Sequence, residues 1–318
     1  MDSFLLQVTA GLANGGIYAA VGLALVMIHQ ATHHINFAQG EMATFSTFIA
    51  WAMIQAGVPY WAAFVVTMVV SFVAGLLIQR IFLKPVEKAP ILTNVIVFVG
   101  LLVIFNAFAG WIFEHTIKSF PSPFPVEGMF LAQYFSGHQI GSISVTLVVL
   151  LSVFCFFRFT PLGLAMRAAA FNPESARLVG IRVSWMLALG WGMAALIGAV
   201  AGMMIAPIVF LDPNMMAGIL LYGFAAALLG GIDNPWGAVV GGVILGVLEN
   251  ILGAYVIGSD LKLTMALVLI VTILIFRPYG LFGKPIFSRV EESQHVCHPK
   301  KNYRSGLRAC CSLTTFCA

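Results

Sequence analysis

Long apolar runs separated by short polar stretches succeed one another along most of the chain. They lie at 4–28, 60–80, 91–113, 140–158, 186–211, 236–256 and 263–277. About 20 apolar residues cover the hydrocarbon core of a bilayer, so these runs predict membrane-spanning helices, the last one short for a full crossing. Two shorter runs, 42–56 and 217–230, are ambiguous by length. Both share a setting: one follows a long run and the polar break His33-His34-Ile35-Asn36, the other a long run and the break Asp212-Pro213-Asn214. The pattern predicts an all-α polytopic transmembrane bundle of about 8–10 spans with two short or broken helices, nine spans if both short runs cross. Residues 1–284 form the membrane domain and 285–318 a disordered cytoplasmic C-terminal tail.

The polar residues between the runs set the orientation. Arg80, Lys84 and Lys88 crowd one loop, and Arg158, Arg167, Arg177 and Arg182 another. The stretch 114–138 has Lys118 against Glu114 and Glu127, with Pro121, Pro123 and Pro125. Basic loops stay in the cytoplasm, which puts the N-terminus outside. The segment from Arg277 onward, with Lys284, Arg289, Lys300, Lys301, Arg304 and Arg308, is then inside. The two long helices that precede the breaks run in opposite directions, so a long helix, a break and a half-helix recur inverted. Inverted repeats place a pathway near the midplane, and irregular backbone is tolerated there only where protein or a wet cavity satisfies it. The residues expected to border a translocation path are Asn36, Phe37, Ala38, Gly40 and Glu41 at the first break, and Asp212, Pro213 and Asn214 at the second. Glu249, in the middle of the run 236–256, joins them as the one clear ionisable residue inside a span.

Composition narrows the class. The chain is 60% hydrophobic and 9% charged with mean hydropathy +0.99, whereas soluble domains carry about a quarter charged residues. The net charge of +4 comes from membrane-flanking loops without interleaved aromatics, so it marks topology and not nucleic-acid binding. Met1-Asp2-Ser3 has no basic residue and no small-x-small cleavage site follows, so the first helix is expected to be retained. Cys297, Cys310, Cys311 and Cys317 crowd the tail beside His298, at spacings that match no structural zinc pattern. His29, His33 and His34 with Glu41 could suggest a metal site, but the irregular backbone implied by Asn36 and Gly40 argues against a shared helix face. No metal is expected.

Two sources of energy remain. A gradient-driven secondary carrier of a small polar solute needs a chain of intramembrane ionisable groups, and Glu249 with Asn250 is a single one. It reads either as a proton or substrate site or as a hydrogen-bonded glutamate facing the bundle interior. No phosphate-binding Gly-x-x-x-x-Gly-Lys-Ser/Thr occurs; Gly280-Leu281-Phe282-Gly283-Lys284-Pro285 has the wrong spacing. Neither a Gly-x-Ser-x-Gly elbow nor His-Glu-x-x-His is present, so an enzyme is not expected. The stretch Arg158 to Arg182 is the other candidate. Asn172-Pro173-Glu174 combines an N-cap, a proline at the first helical position and an acid at the positive helix end, and Gly180 supplies the stop. About two turns of helix result, too short to stand alone, with Ser175, Ala176 and Arg177 inside it and Arg167 and Arg182 around it. Such a knob suits a partner's groove. Glycine pairs at four-residue spacing, Gly11/Gly15, Gly198/Gly202, Gly237/Gly241 and Gly242/Gly246, allow close helix approach in lipid.

Several motifs in order resemble the inner-membrane permease subunits of branched-chain amino-acid ABC importers. They are Gly15 to Leu25 followed by Asn36-Phe37-Ala38-Gln39-Gly40-Glu41; Arg167 to Ile181; Gly230 to Asn250; and Phe276 to Gly283. Two features depart from the family: His33-His34 stand where a glycine is common, and the tail after about Glu291 is unlike it. The resemblance implies a homologous second permease, two cytoplasmic ATPase subunits that hydrolyse the ATP, and an extracytoplasmic substrate-binding protein, with no cofactor bound by this chain. It implies a multi-pass protein of the bacterial inner membrane. Relatives also carry urea, amides and other amino acids, and no residue marks an aliphatic side-chain pocket.

Overall fold

The computed structural model describes residues 2–32, 35–86, 89–124, 136–258, 261–277 and 279–283. His33, His34, Lys88, Pro125, Glu127 and the tail with its four cysteines lie outside the described residues. The apolar runs become α1 (Asp2–Thr32), α2 (Gln39–Gln55), α3 (Tyr60–Ile78), α4 (Ile91–Phe113), α5 (Gly137–Phe159), α8 (Val183–Val209), α9 (Met215–Gly230), α10 (Pro235–Leu252) and α11 (Lys262–Phe276). Two further helices, α6 (Pro161–Phe171) and α7 (Pro173–Leu178), occupy the polar stretch between α5 and α8. Turns of π-helix at Gln79–Leu83 and Gly253–Ile257 lengthen α3 and α10. Six of these helices, α1, α3, α4, α5, α8 and α10, are long and apolar enough to cross a bilayer. The run expected at 263–277 is α11, whose 15 residues fall short of the roughly 20 needed for a perpendicular crossing.

Contacts along the helices fix their directions. Gly11 faces Gly246 and Val247 while Gly15 faces Gly242 and Val243, so α1 and α10 are antiparallel. Tyr18 stacks on Tyr222 and Gly22 meets Gly223, so α1 and α9 are parallel. Gln39 reaches Ala194 and Thr47 reaches Gly202, so α2 runs with α8. The C-terminal part of α1 (Met27, Gln30) shares a small cavity with the start of α8 (Met186, Leu187), which makes these two long helices antiparallel. Each long helix therefore leads through a break into a short helix that turns back, and the two units point in opposite directions.

One end of the bundle gathers the cations. It holds Arg80, Lys84, Arg158, Arg167, Arg177, Arg182 and Arg277, close to the α9–α10 turn, where Gln30 Nε2 donates to the Asp233 carbonyl at 2.8 Å. Arg80 lies 4.1 Å over the Trp185 ring and pins the end of α3 to the start of α8. The opposite end carries Glu114, Lys118, Asp212 and Lys262.

In lipid, helix association depends on packing, and here the tightest contact is between glycines. A Cβ on Gly11 would stand 2.8 Å from the Val247 Cα, and one on Gly15 would stand 3.0 Å from the Gly242 carbonyl oxygen. Gly198 and Gly202 likewise make room for α2, and Gly237 and Gly241 for the end of α9. All four glycine pairs serve packing within this chain. Gly15→Leu is therefore expected to cost about 1–3 kcal/mol through overpacking, read as a lower unfolding temperature in mild detergent. Gly100→Leu, where an added Cβ meets nothing within 4 Å, is expected to stay within about 0.5 kcal/mol of the parent.

Candidate functional site

The first break is organised by a buried asparagine. Asn36 Oδ1 accepts from Ala38 N at 3.0 Å, and the Asn36 carbonyl accepts from Gln39 N at 3.4 Å, which turns the chain into α2. Ala38 occupies the N-cap without a capping side chain. Gln39 Nε2 crosses to the Ala194 carbonyl of α8 at 2.9 Å, and Phe37 is left exposed. Glu41 sits in the first turn of α2, where the helix dipole favours an anion.

The second break begins where Pro207 interrupts the last turns of α8. The chain leaves through Phe210 at φ 63°, an uncommon conformation for a bulky residue. It is held by a two-way backbone bridge between Lys118 and Leu211, both bonds 2.9 Å. Asp212 Oδ1 accepts from Asn214 N at 2.6 Å. Asn214 stands at the N-cap of α9, yet its side chain does not cap the helix.

It is used elsewhere. Asn106, on α4, points its Nδ2 at Asn214 Oδ1 (2.8 Å), the Pro213 carbonyl (3.3 Å) and Glu41 Oε2 (3.3 Å). One carboxamide thus joins both breaks to a third helix. Around it lies a cavity of about 470 Å³, bordered by Gly40 and Glu41 of α2, Asn106 and neighbours of α4, and Asn214, Ala217 and Leu220 at the start of α9. Among the described residues no lysine, arginine or histidine borders it. Glu41, only 6% exposed, is the one charged group in its wall. Asn36, Ala38, Asp212 and Pro213 shape the two breaks behind that wall.

Glu249 belongs to a different cluster. Tyr18 donates its hydroxyl to Glu249 Oε2 at 2.8 Å, and Lys262 Nζ lies 3.7 Å from Oε1 and 3.5 Å from Asn250 Oδ1. Tyr18 also stacks on Tyr222 at 4.8 Å. The buried carboxylate is therefore satisfied from α1 and α11, with its cation 28% exposed at the edge.

At the basic end, Asn172 Oδ1 accepts from Ser175 N at 3.0 Å and caps α7. Gly180, at φ +84°, closes it: Gly180 N donates to the Arg177 carbonyl and Ile181 N to the Ala176 carbonyl, each at 3.0 Å. This is the left-handed stop that glycine favours. Ala176 is buried with Ala169, Val183 and Leu187, while Glu174, Ser175 and Arg177 are exposed. Arg167 borders the small cavity under α1 and α8. Beside α7, Phe171, Leu178 and Val179 stand 93%, 88% and 76% exposed.

Four features escaped the sequence reading. Asn106 is one of two carboxamides, with Asn94, inside a 23-residue apolar helix, and nothing in the sequence tells the two apart. Lys262 borders a loop, where pairing with Glu249 of the preceding helix leaves no periodic mark. The exposed trio beside α7 looks apolar and so core-like in sequence. Helix α6 did leave a signal: Thr160-Pro161 repeats the cap-then-proline start of Asn172-Pro173, and Thr160 Oγ1 accepts from Gly163 N at 3.0 Å.

A multi-pass helical bundle with paired broken helices around a cavity, and a capped helix at a basic end, is a form that transport permeases take. Residues 7–276 match the family described as the branched-chain amino acid transport system permease component, and the chain belongs to it. The high-affinity branched-chain amino acid transport system permease protein LivH of Escherichia coli is 28% identical over 310 residues, covering 90% of this chain and 98% of that one. The corresponding BraD of Pseudomonas aeruginosa is 30% identical over 304 residues with the same coverage. PsaBC from Streptococcus pneumoniae in complex with Fab covers 86% of this chain and 91% of its own at 13% identity, with a TM-score of 0.47.

The Glu249 cluster lends itself to a double-mutant cycle. Lys262→Met strips a buried acid of its cation and is expected to destabilise more than Glu249→Gln, which keeps a partner for Tyr18. The double variant should recover part of the loss, with a coupling of about 0.5–3 kcal/mol in thermal or denaturant unfolding.

Proposed function

We propose that this chain is one permease half of an ATP-driven importer for branched-chain or related amino acids. It pairs with a homologous second permease, two cytoplasmic ATPase subunits that hydrolyse the ATP, and an extracytoplasmic binding protein that delivers the solute. The basic end faces the cytoplasm, because Lys and Arg are retained there, so the N-terminus is outside and the C-terminus inside. The substrate path runs through the cavity between α2, α4 and α9, with Asn36–Glu41 and Asp212–Asn214 as its broken walls.

The observation that carries the coupling role is the α6–α7 surface. A short helix capped at both ends, ringed by arginines, with Phe171, Leu178 and Val179 exposed, suits a partner groove, since buried apolar anchors with a charged rim are what docking uses. The second permease is supported by the cavity itself. Val103 in its α4 wall is 57% exposed, and a cavity holding a carboxylate cannot stand open to lipid. A second permease packed on that side would cover it.

Ser175→Cys is expected to crosslink to a cysteine in the groove of the ATPase. Replacing Phe171 and Leu178 together by aspartate should weaken ATPase retention in mild detergent by about thirtyfold or more, the scale of a lost interface anchor. Full retention of the ATPase by that double variant, with no crosslink at Ser175, would remove the coupling assignment.

A further inference from the structure

Glu41 is a buried carboxylate at the wall of a cavity where no cation among the described residues answers it. Its hydrogen-bond partner is an amide, since Asn106 Nδ2 reaches Oε2 at 3.3 Å and also holds Asn214 Oδ1 at 2.8 Å, while the nearby Asp212 carboxylate adds a second negative charge. Among the described residues, neither a salt bridge nor a second hydrogen bond engages Glu41. Glu249 provides the comparison within the same chain, since that equally buried acid has both a lysine and a tyrosine. A charge in a membrane protein is normally paired or faces a wet pathway, and the start of α2 offers only the partial charge of its helix end. The cavity, about 470 Å³, has room for a small organic cation or zwitterion.

We propose that Glu41 receives the ammonium group of the transported solute, and that Asn106 positions the carboxylate by holding Oε2 so that Oε1 faces the cavity. The solute supplies in passing the cation that the described residues do not. A permanent lysine in the same place would compete with the substrate and repel its amine. Asn106 is a positioning residue, and its bonds to Pro213 and Asn214 make the seat of the ammonium group depend on both breaks at once. This assignment rests on the proposal that the cavity lies on the substrate path.

The test uses the complete transporter in proteoliposomes, with its binding protein, ATP and L-leucine as probe. Glu41→Gln preserves size and the Asn106 contact but removes the charge, and the leucine moved per ATP hydrolysed is expected to fall about tenfold or more, the scale of a lost charge-assisted hydrogen bond. A purely structural role would lower uptake and hydrolysis together and leave the ratio unchanged. Ala217→Cys treated with a small thiol reagent tests the path separately and should block uptake. Blocked uptake at Ala217 with an unchanged leucine-to-ATP ratio in Glu41→Gln overturns the ammonium assignment and leaves the path standing. An unblocked Ala217 variant overturns the path itself.

Should Glu41→Gln fail to assemble, the unaltered complex decides. Carbodiimide-driven amidation of Glu41, followed by peptide mass mapping, is expected to slow about fivefold or more with millimolar L-leucine. It should not slow with 4-methylpentanoate, which lacks the amine. Equal slowing by both, or by neither, overturns the assignment.

Discussion

A helix broken inside a membrane frees polar backbone groups that lipid cannot satisfy, so the break survives only if protein meets them. Here one carboxamide, Asn106, reaches a residue of each break and binds both to α4. Without it, Asn214 would turn back to cap α9 in the ordinary way, and the cavity would lose its polar corner. Each break has its own local cause, in Asn36 for the first and Pro207 for the second, and Asn106 is what joins the two half-helices at one cavity.

The rest of the bundle divides into a frame and a transmission. Glycine-to-glycine contact locks α1 to α10, and the Tyr18–Glu249–Lys262 cluster ties α11 to the same pair. Helix α8 is the connecting piece. Its start packs against α6 and α7 through Val183 and Leu187, its middle accepts Gln39 of α2 at Ala194, and its far end runs into the second break. At about 1.5 Å per residue, these 27 residues link α7 to both walls of the cavity. In the proposed importer a push on α7 reaches the breaks through α8, without any residue of α7 lying near them.

The sequence exposes those parts whose physics is local. Asn172, Pro173 and Gly180 each act within one turn, so α7 was legible with its cap and its stop. The breaks were legible because polar residues interrupt apolar runs. The Pro161–Phe171 helix follows the same rule from Thr160 and Pro161, inside a stretch whose arginines mark it as a loop. What could not be read is what joins distant segments. Nothing in the run 91–113 marks Asn106 as the residue that meets positions 41, 213 and 214, and nothing near Glu249 marks Lys262 as its partner. The sequence grouped Glu249 with the breaks, while the fold gives it to a separate satisfied cluster and leaves Glu41 as the unanswered acid.

The most direct test of the account is whether the cavity between the half-helices is wet and changes during transport. Ala217→Cys stands in its wall, and its reaction rate with a membrane-impermeant thiol reagent can be followed in the assembled transporter, at rest and during ATP-driven turnover with solute. The expected result is ready modification in at least one state and a rate that turnover alters. A cysteine at Ala217 that stays inert in every state would mean that the cavity is closed to water, and that the path lies elsewhere.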